Sequence, residues 1–320
     1  METKWLEDFV SLAETRSFSR SAQLRHVTQP AFSRRIQSLE AWAGTDLVDR
    51  SSYPTTLTPA GETLYAQALE LLQSLHNARA MLRGHGAAAQ DVVEFAVPHT
   101  LAFTFFPAWV ADWRANFRPI KSRLSALNVH DAVLRLVEGG CDLLIAYHHA
   151  AQPLQLNADR YDMLVLGQEL LAPYAQPGPD GQPLLALPGS AAQPLPYLGY
   201  APGAYLGGVT DALLQQAGLP IHLDRVYETD MAEGLKVMAA EGHGIAFLPS
   251  SAVRKELAAG TLVPVPAPLL PSGAAAPMAV AMEVRVYREK PGPRSKRSAL
   301  ELWDYLAARG PGLGLGGEGA

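Results

Sequence analysis

At 320 residues the chain exceeds one typical domain and suits two or three. Its formal charge is −5 and 48% of it is hydrophobic, enough for sizeable cores. One cysteine, Cys141, excludes an internal disulfide framework and a cysteine-based zinc site. The opening METKWLEDF has no apolar signal region, and the longest apolar runs, such as residues 101–110, fall short of a membrane span. The expectation is a cytoplasmic chain with no membrane partner.

The average charge conceals a local asymmetry. Residues 1–90 carry nine Lys/Arg and nine Asp/Glu, yet residues 16–35 hold five arginines and no acid. A local basic patch is what nucleic acid requires, although a solvated helix face would look the same. Trp5, Phe9, Leu12 and Ala13 recur at helical spacing, so residues 4–15 are expected to form an amphipathic helix. Ser17 or Ser19 can cap a short second helix ending near Arg25, and His26-Val27 is the turn. Thr28 is a good N-cap for a third helix over residues 29–43. Pro30 then falls in the first turn, where its missing N–H breaks no helical hydrogen bond.

Phe32, Ile36, Leu39 and Ala43 share the inner face of that helix, and Pro30, Ser33, Arg34 and Gln37 lie on or beside the other. Two helices joined by a three-residue turn make a helix-turn-helix, whose second helix enters the major groove N-terminus first. Gln29, Ser33 and Arg34 are best placed for base edges. Arg16, Arg20, Arg25 and Arg35 are expected at phosphates. Residues 47–48 and 56–58 can pair as a small wing turning at Tyr53-Pro54. Its one basic residue, Arg50, suits phosphate or a structural salt bridge equally.

Thr58-Pro59 repeats the cap-then-proline logic and starts a long helix over residues 59–83. Leu64, Ala68, Leu71, Leu75, Ala78 and Leu82 alternate by four and three, a pattern that a core-facing helix of the same chain would also show. With no other long helix nearby to cover it, a partner helix and hence a dimer is the better account. Residues 84–91, GHGAAAQD, form a small-residue hinge. After it, strands and helices alternate, which signals parallel sheet covered by helices. Strands are expected at 92–97, 120–127, 142–147, 163–167, 184–187, 222–227, 245–248 and 279–287. Helices are expected at 103–117, 131–138, 205–216, 231–240, 249–257 and 298–308. The last strand and helix return to the first unit. Two such α/β units make a clam-shell, whose ligand settles at strand carboxyl ends and helix N-termini.

The ordered set "SFSRSA" (17–22), "VTQPAFSRRIQSLE" (27–40), Gly44, "LVDR" (47–50) and "LTPAGE" (57–62) resembles the LysR-type transcriptional regulators. The landmarks "EGGCDLLIAY" (138–147) and "AAEGHGIAFLP" (239–249) agree with that family's effector domain, which looks like a periplasmic binding protein. The implied fold is an N-terminal winged helix-turn-helix, a long dimerising linker helix and a two-lobed α/β effector domain. The implied boundaries are 1–58, 59–83, a hinge at 84–91, and 92–309. Lobe I takes about 92–162 plus 268–309, lobe II about 163–267, and 310–320 is a disordered tail. The family's DNA-contacting positions fall on Thr28, Gln29, Pro30, Ser33 and Arg34. The wing departs from the family, reading Tyr53-Pro54-Thr55-Thr56 where many members are basic. Within the family, "METKWLEDFVSLAETRSFSRSA" with "YPTTLTPAGETLY" looks like the subgroup of the hypochlorite-responsive regulator of enteric bacteria.

The resemblance implies promoter DNA, a small-molecule effector, RNA polymerase and further copies of the chain as partners, the last as a dimer and as a tetramer or higher. Effector candidates follow from topology: Thr100, Ser125, Asn128, Tyr147, His148, Tyr200, Tyr205, Thr229, Asp230 and Met231. Family effector sites match Thr100, Asn128 and Thr229 among them. Thr100 and Thr229 suit simple helix caps equally well. The aromatics favour an aromatic acid, and helix N-termini would accept a carboxylate. No arginine is expected in the cleft.

The competing functions are an oxidant-responsive regulator acting through methionine oxidation and a binding module with no DNA role. Cys141 reads as buried packing. The nine histidines are dispersed, and no P-loop, dinucleotide fingerprint or nucleophile elbow occurs. No catalytic residue, metal or cofactor is therefore expected.

Overall fold

The computed structural model describes residues 2–51, 54–82, 92–154, 156–292 and 295–310, without the side chains of 70, 73 and 76–82. The expected hinge, the tail beyond 310 and Tyr53 at the wing tip lie outside the described residues.

The head begins with α1 (Thr3–Thr15), α2 (Phe18–Leu24) and α3 (Gln29–Ala43). Ser17 caps α2, its Oγ accepting from Arg20 N at 3.4 Å. Thr28 caps α3, its Oγ1 accepting from Ala31 N at 3.4 Å, with Pro30 in the first turn. Gly44 ends α3 at φ 72°, the left-handed region where glycine carries no Cβ penalty. The wing is β1 (Val48–Asp49) paired antiparallel with β2 (Thr56–Leu57). The long helix α4 (Pro59–Leu82) follows, and Thr58 Oγ1 accepts from Gly61 N at 3.0 Å to start it.

The remaining elements are β3 (Val92–Pro98), α5 (His99–Thr104), α6 (Phe106–Asn116), β4 (Lys121–Leu127), α7 (Val129–Val137) and β5 (Leu143–His148). Then come β6 (Tyr161–Ala175), β7 (Leu195–Tyr200), α8 (Tyr205–Gln215), β8 (Leu223–Thr229), α9 (Ala232–Ala240) and β9 (Ile245–Pro249). A 3-10 turn (Ser250–Ala252), α10 (Arg254–Ala259), β10 (Val263–Pro264), β11 (Val280–Glu289) and α11 (Arg297–Arg309) complete the chain.

The effector-domain strands form one sheet in the order β4-β3-β5-β11-β6-β9-β7-β8, with β10 attached to β6. β3 runs parallel to both β4 and β5, and β7 runs parallel to both β8 and β9. These are the two lobes. The bridge between them is antiparallel: β6 pairs β11 along Tyr161–Leu171 and β9 along Leu171–Tyr174. The carboxyl ends of β3, β4 and β5 are followed at once by α5, α7 and the loop after His148. In the other lobe β7 and β8 end at Tyr200 and Thr229.

Several expected elements differ. The single helix over 103–117 is two helices, because Pro107 has no N–H to continue the ladder and instead begins the second. No strand occurs at 184–187, and the Leu187-Pro188 peptide bond there is cis. The strand falls instead at β7, which carries Pro196 and Gly199 and so reads as loop by composition. The strand expected at 163–167 runs from Tyr161 to Ala175, since it crosses between lobes. The helix expected at 249–257 is a 3-10 turn followed by α10.

One apolar cluster holds the head together and runs into lobe I. It joins Phe9, Phe32, Ile36 and Leu39 to Leu69 and Leu72 of α4, and continues to Ala132, Leu136 and Val137 of α7. The other large cluster packs Phe95, Trp109 and Trp113 against Ile145, Val284 and Trp303, and extends into lobe II through Phe247 and Leu235.

Candidate functional site

The reading helix is fixed from beneath by Phe32, Ile36 and Leu39, all fully buried. That leaves Thr28, Gln29, Pro30 and Arg34 exposed and Ser33 half-buried at its leading end. Ser19 Oγ donates to Gln29 Oε1 at 3.1 Å, tying α2 to the first turn of α3.

The arginines divide into two groups. Arg16, Arg20 and Arg34 are exposed. Arg25 and Arg35 converge on Asp8, a fully buried carboxylate on α1. Arg25 Nε donates to Oδ1 at 2.9 Å and Arg35 Nη1 to Oδ2 at 3.0 Å. Arg25 also bonds Glu7 and lies 3.7 Å from Glu138 in lobe I. The expectation that Arg25 and Arg35 meet phosphate does not fit these surroundings, because both guanidinium groups already neutralise buried acid. Arg50 Nη2 donates to Glu40 Oε2 at 2.6 Å, the salt bridge weighed for it. Glu40 itself, 7% exposed, accepts from Leu47 N and Val48 N and so pins the wing to α3.

Along the expected dimer seam, Leu64 and Ala68 pack inside the head cluster, where α1 lies against α4. Those two positions are covered by the same chain, contrary to the expectation. Leu71 and Leu75 remain 47% and 51% exposed. The side chains of Ala78 and Leu82 lie outside the described residues.

A cavity of about 770 Å³ opens where the strand ends of the two lobes face each other. It brings together Thr100, Asn128, Tyr147, Tyr200, Tyr205 and Asp230. Ser125, His148, Thr229 and Met231 are not in its wall. Asn128 caps α7, accepting from Asp131 N at 2.9 Å. Thr229 Oγ1 accepts from Met231 N at 3.3 Å, a cap-like turn ahead of α9. Tyr200 donates to Phe247 O at 3.0 Å, and Tyr205 Oη accepts from His149 N at 2.8 Å, tying the loop after β5 to α8.

One residue of the wall corrects the sequence reading: Arg225 of β8 reaches the cavity. Its guanidinium lies over the Tyr197 ring, 5.6 Å from the centroid, and between Asp211 at 3.9 Å and Glu228 at 3.6 Å. It crosses Gly199, where a Cβ would sit 2.7 Å from Arg225 Nε. Gly199 was the available signal, a residue without a side chain just before Tyr200. Gln152 and His130 also line the cavity, as do Arg20 and Gln23 of the head. Cys141 is buried, and burial, reinforced by Asp142, pushes its thiol far up, so the reactive thiolate is disfavoured. Among the described residues no cluster of three or more metal-ligating side chains occurs, and no helix is long and apolar enough to cross a membrane.

Residues 3–62 match the lysR family of bacterial regulatory helix-turn-helix proteins, and residues 86–309 match the LysR substrate binding domain. The chain belongs to the LysR family. This LysR-type regulator is similar to the HTH-type transcriptional regulator YjiE of Escherichia coli K12, 33% identical over 264 residues, spanning 82% of this chain and 83% of that protein. Among solved structures it is similar to Vibrio fischeri DarR in complex with DNA, at 28% identity and a TM-score of 0.56, covering 95% of this chain and 97% of the other. It is equally similar to full-length HypT of Salmonella typhimurium, a hypochlorite-specific LysR-type regulator. That match has 30% identity and a TM-score of 0.56, covering 97% and 98%. As a LysR-type regulator the protein is no enzyme. It binds DNA, regulates transcription, self-associates, and is modulated by a small-molecule effector bound in its effector domain.

Proposed function

We propose that the effector is a small organic molecule of aromatic or carboxylate character held in the 770 Å³ cavity between the lobes. The observation that carries this reading is the convergence there of Thr100, Tyr147, Tyr200 and Tyr205 with the start of α8, whose cap residue Ala204 offers no side-chain acceptor. The aromatic rings supply apolar contact with polar tips, and the first-turn N–H groups of α8 favour negative charge. Arg225 does not by itself demand an anion, since Asp211 and Glu228 flank it. The lobes, about 92–162 with 268–309 and about 163–267, close on the effector. An effector that prefers one assembly of the oligomer shifts how the heads meet the promoter.

At the DNA, Gln29, Ser33 and Arg34 read base edges, with Thr28 and Pro30 beside them, and Arg16 and Arg20 meet phosphate. Arg50, 42% exposed, serves the wing's fold through Glu40. The test is thermal unfolding of the full chain with three compound sets: aromatic carboxylates, aliphatic carboxylates and neutral aromatics. A binder at a hundredfold its Kd stabilises by about 2.7 kcal/mol. The effect should vanish in Thr100→Val. A hit insensitive to Thr100→Val and Tyr147→Phe, or no hit in any set, ends this reading.

Closeness to the hypochlorite-responsive subgroup is the finer part of the proposal, supported by the likeness to HypT along nearly the whole chain. It brings a second reading, oxidant sensing by methionine. Met278 and Met282 are buried, whereas Met231 is 37% exposed at the head of α9. Hypochlorite treatment followed by peptide mass analysis decides it: sulfoxide at Met231 that changes DNA affinity, and no change in Met231→Leu, would favour it.

A further inference from the structure

The cavity has a wall that neither lobe supplies. Glu14 and Thr15 at the end of α1, and Arg20 and Gln23 of α2, line it together with Pro202 and Asp211 of the second lobe. The contact between head and lobe I extends beyond that rim. Arg25 reaches Glu138 at 3.7 Å, and the two side chains are only 19% and 14% exposed. His130 on α7 sits among Arg20, Arg25 and His26 of the head, its Nε2 buried without a partner. Glu14 and Tyr65 of the head face Arg160 and Tyr161. Apolar packing runs without a break from Leu6 and Phe9 to Leu136 and Val137. Arg20 therefore stands at the effector cavity while belonging to the helix pair that meets DNA.

We propose that the reading head docks across the mouth of the effector cavity, so that Arg20 and Gln23 complete the effector site and docking competes with DNA for α2. The inference rests on the reading that this cavity holds the effector, and it adds where the ligand signal enters the head. Arg20 cannot face the cavity and a phosphate together. An effector that contacts α2 in the docked state lowers DNA affinity, and DNA lowers effector affinity by the same factor. The occupant of the docking surface is the chain's own head, argued from the ion pair, the shared wall and the continuous apolar packing.

The test needs no effector. Gln23→Cys with Asp211→Cys places two exposed thiols in the lining of the cavity, one from the head and one from the second lobe, and Cys141, buried, stays as it is. In the full chain a short bis-maleimide should join the pair within one chain, and the yield should fall severalfold when a random-sequence duplex is added at low salt. Hydrogen exchange on the unmodified chain gives the second readout. The duplex should slow exchange in α3 and speed it severalfold in α7 and in the turn at 201–204. Absence of the intrachain cross-link without DNA overturns the docking. A duplex that slows α3 without changing α7 and the turn, or that leaves α3 itself unchanged, overturns the competition. If docking and competition both appear while no compound stabilises the chain, the effector reading alone has failed.

Discussion

Asp8 offers a direct test of how the head is held. It is fully buried on α1 and accepts from the end of α2 through Arg25 and from the middle of α3 through Arg35, at 2.9 and 3.0 Å. One carboxylate thus sets the angle between both helices of the DNA-reading motif. Asp8→Ala leaves two guanidinium groups, 19% and 28% exposed, without their shared acid. Breaking a buried ion pair from one side costs roughly 3–5 kcal/mol, and Arg25 keeps Glu7, which favours the lower end at about 3. That is on the order of a hundredfold more opening of the head. Hydrogen exchange of α1–α3 amides in the full chain measures it without requiring the whole protein to unfold in one step. Asp8→Asn keeps the shape and isolates the charge. The same arrangement sets a salt dependence. Each phosphate contact contributes about 0.9 to the slope of log affinity against log salt. Arg20→Ala or Arg16→Ala should each lower the slope by about that amount, and Arg35→Gln, which also removes a charge, should not change it. A loss below about 1 kcal/mol in Asp8→Ala, or a slope lowered by about 0.9 in Arg35→Gln, would refute this account.

Gly61→Ala should destabilise the head by about 1–3 kcal/mol in urea titration, because its Cβ would lie 2.0 Å from the Leu47 carbonyl oxygen and neither backbone can yield easily. Leu71→Asp with Leu75→Asp should shift the chain towards monomer in sedimentation, since both leucines are half exposed on α4; an unchanged dimer would remove them from the seam. Two groups of α7 make opposite pH slopes. Burial, reinforced by Arg20, Arg25 and His26, pushes His130 down to about 4 from 6.5, so stability is gained as pH rises from about 4 to 6.5. Burial, reinforced by Glu7 and Asp131 against Arg25 and Arg135, pushes Glu138 up to about 7 from 4.5, so stability is lost as pH rises from 4.5 to 7. The two nearly cancel between pH 4.5 and 6.5 in the natural chain. His130→Ala should expose the second slope, a fall of up to about 3 kcal/mol from pH 4.5 to 7 in urea unfolding. A flat profile in that variant would sink the assignment.

The elements of the head were legible to within a residue or two because their signals are local. Ser17, Thr28 and Thr58 are caps, Pro30 and Pro59 begin helices, and Gly44 ends one. The cleft was legible in part. Thr100, Asn128, Tyr147, Tyr200 and Tyr205 line the cavity because strand carboxyl ends must face it in a two-lobed α/β fold. Of the run before α9 only Asp230 lines the cavity, while Thr229 Oγ1 is taken up by Met231 N at 3.3 Å. Strand β7 was missed, since Pro196 and Gly199 obscure a segment that neighbouring strands hold from both sides.

By itself, then, the sequence determined the helices of the head and where they begin and end, which face of the reading helix is apolar, and which family the chain resembles. All of these depend on residues close together in the chain. Tertiary structure alone decided what each charge does. Five arginines look alike between residues 16 and 35, but Asp8 takes Arg25 and Arg35 and leaves Arg16, Arg20 and Arg34 exposed. It also brought Arg225 across Gly199 into the cavity and set Arg20 at the cavity mouth. The physical reason is reach. A hydrophobic period or a cap acts over a few residues, whereas a buried carboxylate chooses its partners by distance in space, which periodicity does not encode.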